Sequence, residues 1–120
     1  MADSLRQLKA EILQALAHPT RIAIVEELHG GELSVRQIIE RLELEQANAS
    51  QHLAVLRSRN VVAWRKDGNQ VFYSLRHPVF AEVLVLLRQA CLSIVSDSRQ
   101  LLEQIRREEA QQGARRRARA

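Results

Sequence analysis

Leu5, Leu8, Ile12, Leu13 and Leu16 recur at three- and four-residue intervals, a period that predicts an amphipathic first helix with one face to bury. His18-Pro19-Thr20 interrupts it. Proline is favoured in the first turn of a helix, so a second helix is expected there, running through Ile22, Ile24, Val25 and Leu28 to a stop at Gly30-Gly31. Ser34 and Gln37 stand at capping-box spacing, and Val35, Ile38, Ile39 and Leu42 supply the buried stripe of a short third helix. Only a tight turn fits between Leu42 and Gln46. A fourth helix, over about residues 45 to 59, then resumes the period with Ala47, Ala49, Leu53 and Leu56.

Beyond Arg59 the pattern becomes extended. Val61-Val62-Ala63-Trp64 and Val71-Phe72-Tyr73-Ser74-Leu75 are rich in β-branched and aromatic residues, and Asp67-Gly68 between them is a hairpin-turn signal. From Pro78 onward Phe80, Val83, Leu84, Leu87, Cys91, Ile94, Val95, Leu101, Leu102 and Ile105 fall near helical positions, which predicts one long last helix. Its apolar face would outrun what one protomer can cover, implying a partner helix. After Ile105 the composition is Arg, Glu, Gln, Ala and Gly, expected to form a disordered basic tail. The expected organisation is thus a domain over residues 1–105 and a tail over 106–120. The domain is mainly α with a β-hairpin wing, in the order α-α-α-α-β-β-α, a winged helix-turn-helix.

Composition narrows the class further. The chain of 120 residues is 46% apolar, enough for one core. No run approaches the roughly 18 apolar residues of a membrane span, and the polar start Met-Ala-Asp-Ser-Leu-Arg lacks a signal-peptide core, so a soluble cytoplasmic protein without membrane association is expected. The single Cys91 excludes an intramolecular disulfide. The net charge of +4 is unevenly spread: residues 46 to 76 hold five basic side chains against Asp67 alone, and residues 106 to 120 hold six Arg against two Glu. Such concentration points to a polyanionic partner.

In a helix-turn-helix the second helix of the pair lies in the major groove and presents its N-terminal half to base edges. Here those side chains are Gln46, Asn48, Ser50, Gln51 and His52, hydrogen-bonding groups suited to reading bases, with Arg57 further along. His52 is expected to meet phosphate or a base, with packing beneath Trp64 the other option. Arg65, Lys66, Asn69 and Gln70 in the hairpin are expected to contact the DNA backbone or minor groove. The Arg115-Arg116-Arg117 run suits phosphate neutralisation or plain solubility equally. No Gly-rich phosphate loop, metal constellation or nucleophile-base pair is present, so neither an enzyme nor a cofactor is expected. A protein-interaction module on the same fold is the main alternative, and the polar recognition face counts against it.

Three segments carry a family resemblance: Ala15-Leu16-Ala17-His18-Pro19-Thr20-Arg21-Ile22 through Glu32-Leu33-Ser34-Val35, then Asn48-Ala49-Ser50-Gln51-His52-Leu53-Ala54-Val55-Leu56-Arg57, then Gly68-Asn69-Gln70-Val71-Phe72-Tyr73. Over about residues 5 to 95 the chain resembles the ArsR/SmtB family of bacterial winged-helix regulators. The resemblance implies a homodimer joined by the first and last helices, with two recognition helices in successive major grooves of a partly palindromic operator. Family members are mostly repressors released by a metal ion or another inducer. This chain departs from the family's sensing sites. Ser34 and Arg36 stand where one site has cysteines, and His77, Val79, Ala90 and Ser93 where another has Asp and His. Glu26 stands where sulfur sensors pair a second cysteine with one on the last helix. Cys91 is expected in the core. At best it would meet His77 of a partner, too few ligands for zinc. His18 and His29 are expected to be helix-end residues. No metal is expected, the inducer is unidentified, and the likeness is to branches without a recognised metal site.

Overall fold

The interruption at His18-Pro19 sets the first half of the molecule. In the computed structural model, which describes residues 2–96 and 98–119, helix α1 (Ala2–Leu16) ends three residues before Pro19. His18 is extended (φ −154°, ψ 134°), and its Nδ1 accepts a hydrogen bond from the Thr20 amide at 3.1 Å. The imidazole thereby caps helix α2 (Pro19–Leu28), satisfying one of the donors left open in the first turn.

The Ser34–Gln37 spacing forms the capping box the sequence predicts. Ser34 Oγ accepts from the Gln37 amide at 3.1 Å, and the Ser34 amide donates to Gln37 Oε1 at 2.9 Å. Helix α3 (Val35–Leu42) starts on it and stops at Glu43, whose left-handed backbone (φ 55°) turns the chain sharply. Helix α4 (Gln46–Ser58) follows after that turn. Strands β2 (Val62–Asp67) and β3 (Gln70–Leu75) make the hairpin, with Gly68 at φ 61°, a conformation L side chains rarely hold. A short strand, β1 (Leu33–Ser34), pairs with β3 through Leu33–Tyr73 and Ser34–Phe72, giving an antiparallel sheet of order β1-β3-β2.

One core holds these pieces together. Ile24, Val25 and Leu28 of α2, Ile38 of α3, and Leu53 and Leu56 of α4 meet Leu33, Val61, Val62 and Tyr73 of the sheet region. Burial at this density fixes the angle between α3 and α4, because close-packed side chains leave few alternative arrangements.

At the end of the chain the structure differs from what the sequence predicts. The expected single last helix is divided: helix α5 (Val79–Val95) stops, and helix α6 (Arg99–Arg119) begins afterwards. At the stop, Ser96 Oγ donates to the Ser93 carbonyl at 2.8 Å, a local bond that competes with helical pairing. The expected disordered tail is helical through Arg119, because Ala, Arg, Glu and Gln are strong helix formers even without a core. The chain divides into two compact units, Met1–Leu84 and Val85–Ala120. Within the second unit, Arg88 donates two bonds to Glu109 (Nε and Nη2, both 2.9 Å) and joins α5 to α6. Cys91, expected in the core, is exposed in this chain. No helix among the described residues is long and apolar enough to cross a membrane.

Candidate nucleic-acid interface

Helix α4 has two unlike faces. Ala49, Leu53 and Leu56, four and three residues apart, are buried and anchor it. Gln46, Asn48, Ser50 and Gln51 all lie exposed on its first two turns. Their amides and hydroxyl can both donate and accept, and none carries charge.

Gln46, Ser50 and Arg57 of α4 line a groove of about 1050 Å³, which Trp64, Asn69 and Gln70 of the hairpin close on its other side. Arg57 lies over the Trp64 ring, 5.5 Å from its centroid, so a cation and an exposed aromatic edge the same groove. Arg36 of α3 also lines it, together with Glu40. Sequence reasoning missed Arg36 and Trp64 as site residues. Arg36 carried no signal beyond its charge, whereas Trp64, an exposed aromatic on the strand face that also carries the buried Val62, could have been noticed.

The remaining candidates are placed differently. Lys66 is exposed near the hairpin tip. Arg65 is engaged, donating from Nε (2.8 Å) and Nη2 (2.7 Å) to the two carboxylate oxygens of Glu32, with its guanidinium 4.6 Å from the Phe72 centroid. That fork holds the Glu32 carboxyl below its usual range. His52 is half-buried. Its ring lies 4.4 Å from that of His18, and its Nδ1 is 3.3 Å from Nη1 of Arg21. Burial first, then the neighbouring His18 and Arg21, push the His52 imidazole below its ordinary value.

An anchored helix with a polar outer face, entered by a tight turn and flanked by a basic hairpin, defines a winged helix-turn-helix. The comparisons with known proteins agree. A helix-turn-helix domain model matches residues 16–63. The chain is 42% identical over 106 residues to the uncharacterized HTH-type transcriptional regulator Rv0081 of Mycobacterium tuberculosis, covering 88% of this chain and 93% of that one. It is 39% identical over 79 residues to the transcriptional repressor PagR of Bacillus anthracis, covering 65% and 79%. The Rv0081 crystal structure superposes with a TM-score of 0.69 at 44% identity, covering 78% of this chain and 94% of that chain. A Mycobacterium bovis solution structure, described as a homodimeric winged helix-turn-helix DNA-binding domain of a possible ArsR-family regulator, gives 0.71 at 25% identity and covers 79% and 89%. The chain belongs to the ArsR/SmtB family of winged helix-turn-helix transcriptional regulators.

Proposed function

We propose that this regulator represses transcription by binding a partly palindromic duplex operator as a homodimer, with α4 in the major groove and the β2–β3 hairpin on the adjacent backbone. The observation that carries this reading is the pair of faces on α4: Ala49, Leu53 and Leu56 are buried while Gln46, Asn48, Ser50 and Gln51 stand exposed. Asn and Gln can bond an adenine edge in a paired fashion, and Ser bonds either way, so these four residues select sequence. Arg57, Lys66, Asn69 and Gln70 supply affinity through phosphates, and Arg65 joins them once it leaves Glu32. Exposed leucines on α1 (Leu5, Leu8, Leu13) and exposed apolar residues on α5 (Val83, Leu86, Leu87) support pairing with a second copy. The homodimeric description of the Mycobacterium bovis neighbour supports it too. Action on DNA places the protein in the cytoplasm, with no catalytic step.

Selection from a random duplex library tests this reading. Enrichment of two half-sites about 10 base pairs apart, or a multiple of that, is expected from a two-fold dimer. Failure to enrich any motif would contradict it.

A further inference from the structure

Arg21 ties its own helix, α2, to two others with one side chain. Its Nε donates to the carbonyl of Ala15 and its Nη2 to that of Gln14 (3.3 Å), two carbonyls in the last turn of α1, the second of which also accepts from the Ala17 amide at 3.2 Å. Its Nη1 lies 3.3 Å from Nδ1 of His52, on the recognition helix α4. A guanidinium has no acceptor, so the imidazole must offer its Nδ1 lone pair and carry its proton on Nε2.

We propose that Arg21 is a positioning residue for DNA recognition, locking α4 to the end of α1 through His52, and that a proton on His52 opens the lock and weakens DNA binding. The inference rests on the reading of α4 as the helix that reads DNA. It assigns His52 a role in holding that helix rather than in touching DNA.

The surroundings of His52 make the lock proton-sensitive. A protonated ring has no lone pair for Arg21 and sets a second cation beside the guanidinium. His18, its ring centroid 4.4 Å away and its Nδ1 accepting from the Thr20 amide, is no acid and offers no negative charge to offset that cation. The titratable and charged groups acting on His52 are thus His18 and Arg21, neither of them an acid. Along α1, Glu11 is engaged with Arg59 at the far end of α4 (3.3 Å), a self-neutralising pair. Folding therefore disfavours the proton on His52. The unfolded or unlocked chain takes it up more readily, so the lock is complete above the ordinary imidazole value of about 6.5 and is lost as pH falls from there through the lowered value of the locked ring. A histidine bonded directly to phosphate would give the opposite slope, since its protonation adds a cation to the interface.

The test is fluorescence anisotropy of the full chain on its selected duplex between pH 8 and 5.5 at constant ionic strength. The wild-type affinity is expected to fall at least about fivefold on acidification, a coupling of the size usual between linked sites. His52→Gln offers Arg21 an acceptor that does not titrate. It is expected to keep the pH 7.5 affinity within about threefold and to flatten the profile. His18→Asn, which keeps a capping side chain, is expected to retain most of the slope. Arg21→Ala is expected to bind weakly throughout without a slope. A flat or rising wild-type profile, or a His52→Gln profile that falls as the wild type does, overturns the inference and leaves the DNA-reading role of α4 intact. Failure to bind any selected duplex at pH 7.5 removes that role and the inference with it.

Discussion

Arg65 and Glu32, 33 positions apart, meet through two parallel hydrogen bonds of 2.7 and 2.8 Å that tie the wing to the segment ahead of β1. The bidentate fork fixes the guanidinium plane as well as its position. Arg65 also stands 3.7 Å from Asp67 on its own strand, so its charge is largely matched in the free protein.

This pairing changes what substitutions in the wing should do. Glu32→Gln releases the fork, and Arg65 can then neutralise a phosphate. Binding to specific and random duplexes alike is expected to strengthen at low salt, with the log–log salt slope steeper by about one. Lys66→Ala is expected to make the slope shallower by about one, and Arg65→Ala by less. Anisotropy titrations across salt concentrations check all three. An unchanged slope in Glu32→Gln would show that the pair does not hold Arg65 back.

The same pair has a defined pH window. The Arg65 hydrogen bond holds Glu32 below the usual carboxylate range, so the tether is present above that range and is lost only as pH falls through the lowered value. Between pH 5.5 and 8 it stays constant. The wing is therefore expected to add nothing to the pH profile of DNA binding, and Glu32→Gln should leave that profile's shape unchanged.

Gln51→Ala should act on sequence preference. Removing a paired amide contact is expected to cost about 1–3 kcal/mol of discrimination at one base position while leaving random-duplex affinity nearly unchanged. A single-base-variant panel of the selected duplex measures this. Uniform weakening across the panel would assign Gln51 to the backbone instead.

Substitutions at two positions probe the frame that presents α4. Ser34→Ala removes the capping acceptor for the Gln37 amide and is expected to lower stability by about 1 kcal/mol. Ile38, wholly buried on α3, is expected to cost about 2–5 kcal/mol as Ala and about 0.5–1.5 as Val, because the larger truncation leaves a cavity. Urea unfolding followed by circular dichroism gives both values. Equal costs for the two Ile38 variants would mean that the site collapses freely.

Features set by neighbours in sequence were legible beforehand. The Ser34–Gln37 box, the start of α2 at Pro19, the Gly68 turn and the buried stripe of α4 each follow from spacing a few residues long. What escaped depends on distant partners. Strand β1 is two residues with no period of its own, and it exists because Leu33 and Ser34 meet Tyr73 and Phe72. The Arg65–Glu32 pair and the inward turn of His52 toward Arg21 likewise need the assembled fold. The stop after Val95 was hidden because Ile94, Val95, Leu101 and Leu102 continue the helical period across it. Only the polar Ser96-Asp97-Ser98 run marks the place in sequence. The helicity of residues 106–119 was missed by weighing core-forming capacity above helix propensity, the stronger local term there.

The central claim is that this chain reads duplex sequence. The most direct measurement is fluorescence anisotropy of the purified protein on DNA from upstream of its own gene and on a scrambled duplex of equal length, at several salt concentrations. Binding to the upstream duplex at least about a thousandfold tighter than to the scrambled one, with both weakening as salt rises, is the expected result. Equal and weak binding to the two would contradict the claim, leaving a basic surface without sequence selection.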